Sequence, residues 1–134
     1  MPTHLVPTVW PLVEAWIVKA LDKGHADETP ARVRWQLMHN AMELFLAWDG
    51  TQAHGCWIIE FAETARGRCC HLYLVSGRDF KTWRHLLADI KAYALANGCN
   101  RIEAGGRPGW ARLVARDGFK RLRVILELRL DNAE

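Results

Sequence analysis

Several absences narrow the field before any residue is given a role. None of Cys56, Cys69, Cys70 and Cys99 stands in C-x-x-C spacing, so the usual zinc and dithiol signatures are missing and the thiols are read as reduced. No apolar run approaches the ~18 residues of a membrane span. The N-terminus has no basic stretch leading into an apolar core, so no secretory leader is expected and the cytoplasm is the expected compartment. The arginines are scattered and the net charge is only +3, which leaves out the basic footprint of a nucleic-acid binder. There is no repeat, low-complexity tract or linker. The 134 residues are therefore read as one domain, 1–134, long enough for a core without disulfides or metal.

What is abundant is tryptophan, with 7 in the chain, a residue that marks aromatic cores or protein interfaces. The pattern of the rest places the elements. Apolar residues at Val9, Leu12, Val13, Trp16, Ile17 and Ala20 predict a helix over 8–21 that ends near Lys23-Gly24. Thr29-Pro30 reads as an N-cap followed by proline at N1, opening a second helix with Val33, Leu37 and Met38. Met42 to Trp48 reads as a strand, Asp49-Gly50 as a hairpin turn, and Gly55 to Phe61 as the returning strand. Ala62 to Arg68 reads as a polar connection, and Cys69 to Val75 as a third, central strand.

The clearest helix is expected over 80–97. Phe80, Trp83, Leu86, Leu87, Ile90, Tyr93 and Ala94 form its stripe, Lys81, Arg84, Asp89 and Lys91 lie off it, and Gly98 stands at C′. A strand at Arg101 to Ala104, a short helix from Pro108, and an alternating strand through Leu122, Val124, Leu126, Leu128 and Leu130 complete the chain. A strand, a helix and a further strand imply a parallel crossover. The order ααβββαβαβ predicts an α/β (α+β) single mixed sheet with helices on both faces.

That order resembles the GCN5-related N-acetyltransferase (GNAT) fold. Ala111 to Phe119, ARLVARDGF, looks like the family's last helix running into Gly-Phe before the closing strand. The run from Gly98 to Trp110 also resembles small phage-encoded GNAT-like proteins of the internal virion type. It carries Gly98-Cys99, Ile102-Glu103, Gly106-Arg107 and Gly109-Trp110. The resemblance implies a compartment in a bacterial host's cytoplasm or in the virion.

An acetyltransferase of this kind needs a phosphate cradle at the start of the long helix and a path for protons. The family's R/Q-x-x-G-x-G/A loop has only Val75-Ser76-Gly77-Arg78-Asp79 here, with one glycine and a carboxylate at the mouth. Ser76 or Asp79 reads as a plain N-cap. The family's acid tyrosine and helix-start asparagine correspond to Val114 and Arg107. Glu60 and Glu103 stand on strands and can serve as a base through water, although solvated carboxylates or salt-bridge partners are the plainer reading. His54-x-Cys56 and Cys69-x-His71 fall on strands expected to pair, which suggests zinc, but buried cysteine accounts for them as well. No metal is expected.

The function expected from the sequence is a phage-type GNAT-like structural, virion or assembly protein with a degenerate acetyl-CoA site. It binds no cofactor, and its partners are proteins, with self-association open. Trp10, Trp35, Trp48 and Trp57 are the tryptophans free to mark the interface, Trp83 and Trp110 being on core faces. The alternative is an active acetyl-CoA-dependent N-acetyltransferase. The resemblance then implies that Leu74 and Val75 hold the pantetheine arm, that Gly77 and Arg78 meet the pyrophosphate, and that Glu60 acts as the base.

Overall fold

The computed structural model describes residues 1–24, 28–105, 118–120, 128 and 130. A 3-10 turn, Thr3–Leu5, leads into α1, Val6–Gly24, and α2 follows at Pro30–Met38. Three antiparallel strands come next: β1 at Glu43–Trp48, β2 at Ala53–Thr64 and β3 at Gly67–Gly77. A short helix α3, Phe80–Trp83, passes through a 3-10 turn at Arg84–Leu86 into α4, Leu87–Ala96, and β4 spans Cys99–Ala104. The described strands form one sheet in the order β1-β2-β3-β4, with β3 and β4 parallel. This is the mixed sheet expected from the element order, with α1 and α2 on one face and α3 and α4 on the other. The helix expected from Pro108 and most of the strand expected over Arg121 to Leu130 lie outside the described residues.

Strand alternation sorts the core into two layers. Leu44, Cys56, Ile58 and Leu74 face α1 and α2, where Val13, Ile17, Val33 and Leu37 meet them. Trp57, Ile59, Cys70 and Leu72 face the other way, against Trp83, Leu87, Ile90 and Ala94. Each fully buried aliphatic side chain contributes about 1.5–3 kcal/mol of transfer free energy. The first layer owes its helix entry to Thr29, whose Oγ1 accepts from the Arg32 N–H at 3.2 Å, with Pro30 opening the helix. Gly98 takes φ +83° after α4, as a C′ glycine does. Gly118 takes φ +96°, and Phe119 packs on the second layer.

Four expectations are corrected. The supposed connection Ala62 to Arg68 is mostly strand: the β2/β3 ladder continues to Thr64↔Gly67. Thr64 Oγ1 donates to the Gly67 carbonyl at 2.7 Å, so a tight hairpin satisfies the polar groups that made the stretch look like a loop. The helix over 80–97 is not continuous, because the 3-10 turn at Arg84–Leu86 interrupts it. Arg84, expected off the apolar stripe, is therefore 7% exposed, with its guanidinium over the Phe80 ring at 5.6 Å. Neither Ser76 nor Asp79 caps the helix with its side chain: Asp79 is left-handed at φ 55° and Ser76 Oγ donates to the Trp16 carbonyl at 2.9 Å. Trp10 and Trp57 are core residues at 4% and 3% exposure, which leaves Trp35 and Trp48 as the open tryptophans of the four.

Candidate active site

The site is built on β3, whose two halves have different neighbours. From Arg68 to Leu72 it pairs with β2 on one side and with β4 on the other. The β4 ladder ends at Leu72↔Ala104, while β3 runs on to Gly77 with β2 as its one strand partner among the described residues. At the same level the β2/β3 register shifts from Ile59↔Leu72 to Ile58↔Leu74, so Tyr73 is the extra residue of a bulge. A bulge bends its strand, and here it bends β3 where β4 stops. Between Tyr73 and Gly77, the backbone groups on the side away from β2 have no β4 partner among the described residues.

The mouth of this fork is held from below. Gly55 and Gly77 are cross-strand partners, and a Cβ on Gly77 would lie 2.4 Å from Gly55 Cα and from the His54 carbonyl oxygen. Gly77 also takes φ +147°, so this glycine is required by its own hairpin. On the opposite face the Trp83 ring lies over Gly55, where a Cβ would come within 2.3 Å of it. Trp83 Nε1 donates to the Arg78 carbonyl at 2.7 Å, and Trp57 and Phe80 pack edge-on against the same ring at 5.5 and 4.8 Å. The Arg78 N–H donates to the His54 carbonyl at 2.8 Å, and its guanidinium Nη2 donates to Gln52 Oε1 at 2.8 Å. A shallow open depression beyond this loop is lined by Asp79, Phe80, Lys81 and Thr82.

The four residues expected at the cofactor divide by what they present. Leu74 is buried under α1, so only its backbone faces the fork, and Val75 is half-buried toward Trp57 and Phe80. Gly77 and Arg78 form the loop that joins the fork to α3. Acetyl-CoA, the cofactor of the family the fold resembles, fits these residues in a specific way. The open β3 edge offers amide and carbonyl groups to an extended pantetheine arm, as an added strand would find them. For the phosphates, Arg78 and Lys81 offer side-chain cations, because the Arg78 N–H already has a partner.

Toward the apex of the fork a row of polar side chains crosses three strands. Glu60 on β2 and Glu103 on β4 are both register partners of His71 on β3. The His71 Nδ1–H donates to Glu60 Oε1 at 3.0 Å, with both side chains about one-third exposed at 35% and 33%. Arg101 Nε donates to Glu103 Oε2 at 2.8 Å, and Tyr73 stands edge-on to the His71 ring at 6.3 Å. The sequence reading had Glu60 and Glu103 but missed that His71 stands between them. Three-strand register brings these residues together, and their separation along the chain gives no sign of it.

The suggested zinc constellation does not assemble. His54 stands beside Gly55↔Gly77 at one end of the β2/β3 ladder, and Cys69 pairs with Ala62 near the other. His54 Nε2–H instead donates to Asp49 Oδ2 at 2.6 Å, and Asp49 Oδ1 accepts from the N–H groups of Thr51 and Gln52 at 2.7 and 2.8 Å. The His54 bond and these two amides hold the Asp49 carboxyl down to about 2. Among the described residues no cluster of three or more His, Cys, Asp or Glu side chains is placed to hold a metal. Burial pushes the thiols of Cys56 and Cys70 up to about 12 and raises that of Cys69, which makes all three poor nucleophiles. No described helix is long and apolar enough to cross a membrane.

No family model matches this chain, and no curated protein matches it. Solved structures do. A ribosomal-protein-alanine N-acetyltransferase from Brucella melitensis biovar Abortus 2308 superposes with TM-score 0.70 at 11% identity, covering 97% of this chain and 96% of that one. A probable acetyltransferase gives 0.67 at 14% identity over 98% of this chain and 94% of that one. An aminoglycoside acetyltransferase from an uncultured soil metagenomic sample, in complex with sisomicin, gives 0.61 at 12% identity over 78% and 76%. At these identities the likeness establishes the fold, which is GNAT-like.

Proposed function

We propose that this chain is an acyl-CoA-dependent N-acyltransferase, with acetyl-CoA the expected donor and an amine the acceptor. The observation that carries the reading is the fork itself: β3 outruns β4 from Tyr73 to Gly77. That leaves an edge for a ligand containing amides, next to a proton-accepting row at Glu60, His71 and Glu103. A decayed scaffold has no need to keep such a row at such an edge.

Leu74 and Val75 hold the pantetheine arm through their backbone, and the side chains of Arg78 and Lys81 meet the phosphates. Gly77 keeps the loop close to β2. Acetyl-CoA supplies an acyl carbonyl and a sulfur leaving group, so a C–N bond forms as a C–S bond breaks and one proton moves, in net, from nitrogen to sulfur. The chain's own residues orient the amine and remove its proton. The bulge at Tyr73 and the aromatic wall of Trp57, Phe80 and Trp83 keep the fork rigid around that exchange.

A second reading has its own observations. Trp35 and Trp48 are 58% and 52% exposed, and Asp79 lines the depression beyond the Gly77-Arg78 loop together with Lys81. These favour a GNAT-like scaffold of the phage virion or assembly type, with protein partners and a degenerate cofactor site.

Calorimetric titration of the protein with acetyl-CoA and CoA separates the two readings. The acyltransferase reading predicts micromolar binding, weakened about tenfold or more, ~1.4 kcal/mol, by the double variant Arg78→Glu/Lys81→Glu. No heat at millimolar cofactor overturns it and leaves the scaffold.

A further inference from the structure

We propose that His71 is the group that takes the proton at this site and that Glu60 is its positioning residue, an assignment that rests on the acyl-transfer reading above. The sequence alone points to Glu60 as the base. The hydrogen bond between the two redistributes the roles: with Nδ1–H donating to Glu60 Oε1 at 3.0 Å, the neutral ring carries its proton on Nδ1 and its lone pair on Nε2. Glu60 Oε1 is then engaged in holding the ring, as a carboxylate does behind a catalytic histidine. Nε2 has no hydrogen-bond partner among the described residues, and the side chain is 35% exposed.

The placement agrees with the chemistry. His71 pairs with Glu103 on the rung next to the last of the β3/β4 ladder, immediately before the fork opens at Leu72↔Ala104. A proton acceptor there stands where the fork narrows, on the face shared with Ile58 and Cys56. The charged groups around it are Glu60 from β2 and the Arg101–Glu103 pair from β4, with Tyr73 edge-on from its own strand. The other histidine of the region, His54, has no comparable freedom. Its Nε2 is held by Asp49, and its Nδ1 is buried with no partner among the described residues. As the amine attacks, its proton passes to Nε2 of His71 while its lone pair forms the C–N bond. The C–S pair leaves with sulfur, which takes up a proton from water, and His71 returns its proton to the hydroxide so formed, so that the net transfer is from nitrogen to sulfur.

The test joins a spectroscopic and a kinetic readout. Long-range ¹H–¹⁵N correlation of the labelled imidazoles, in the full chain at mildly alkaline pH, is expected to show His71 as the Nδ1–H tautomer. In Glu60→Ala it should revert to the Nε2–H form preferred by a free imidazole, which checks the hydrogen bond, while the kinetic arm checks that the bond serves the reaction. With acetyl-CoA and an acceptor found in an amine panel, His71→Gln should lower kcat by about 10²–10⁴-fold while CoA binding is retained. Glu60→Gln should lower it by about 10–100-fold. Absence of CoA binding in the wild type overturns the acyl-transfer reading, and this assignment with it. CoA binding together with an Nε2–H tautomer in the wild type, or with full kcat in a folded His71→Gln variant, overturns this assignment alone.

Discussion

The two halves of β3 share one strand and one partner in β2, yet they do different work. From Arg68 to Leu72 the strand is bonded on both sides, and Cys70 and Leu72 fill the second core layer. From Tyr73 to Gly77 its strand partner among the described residues is β2, and it is held further by Leu74 in the first core layer, Ser76 Oγ on the Trp16 carbonyl, Gly77 against Gly55, and Trp83 under the Arg78 carbonyl. An open strand edge is a liability unless it is covered or used. Here, among the described residues, side chains rather than a second ladder keep the geometry of the edge, which is the premise of the proposed cofactor site.

The contrast can be broken most severely at Trp83. Trp83→Ala removes the aromatic floor of the open half and one buried hydrogen bond, and should lower stability by about 3–5 kcal/mol in urea unfolding. Gly77→Ala comes next. Its Cβ has nowhere to go but into the β2 backbone, at a φ that disfavours any side chain, and a loss of about 3 kcal/mol is expected. A milder cut is Ser76→Ala, which unties the open half from α1 and should lower stability by about 1 kcal/mol. Hydrogen exchange should then quicken at Val75 to Arg78 while the amides of Cys69 to Leu72 stay protected.

Two pH effects sharpen the comparison further. Cys70 in the closed half and Cys56 opposite the open half both have thiols pushed up to about 12 by burial. A raised native pKa contributes stability that is complete below the ordinary thiol value near 9 and is lost as pH climbs from there toward 12. Neither thiol should react with a disulfide reagent at neutral pH until the chain unfolds. The smallest effect belongs to the turn at Asp49. A native carboxyl at about 2 against an ordinary 3.8 contributes above that ordinary value, and the contribution fades as pH falls from near 4 to near 2. The amide resonances of Thr51 and Gln52 should follow that titration.

How much of this the sequence disclosed depended on the range of the signal. Local chemistry was legible: Thr29-Pro30 opens α2, Asp49-Gly50 turns the first hairpin, and Gly98 ends α4. Periodicity gave the element order from α1 to β4 and, with the parallel β3/β4 pair, the GNAT-like sheet. Periodicity failed where tertiary packing overrides it. The 3-10 turn at Arg84–Leu86 leaves an arginine buried, and the hairpin at Thr64 and Gly67 turns a polar stretch into strand. The site was half legible. Glu60 was visible as a strand carboxylate, but its partnership with His71 and Glu103 depends on the registers of two ladders and a bulge at Tyr73, which no single-strand pattern encodes. Gly77 was singled out for a cofactor loop, and its need for glycine has a nearer cause in Gly55.

The central claim is that the open half of β3 is a cofactor edge. Amide chemical-shift mapping of the labelled protein with CoA tests it most directly. The account predicts saturable shifts concentrated at Tyr73 to Arg78 and at Ala104-Gly105 where β4 ends, with the β1/β2 ladder unmoved. An unchanged spectrum at millimolar CoA, or shifts confined to the exposed faces around Trp35 and Trp48, would contradict it.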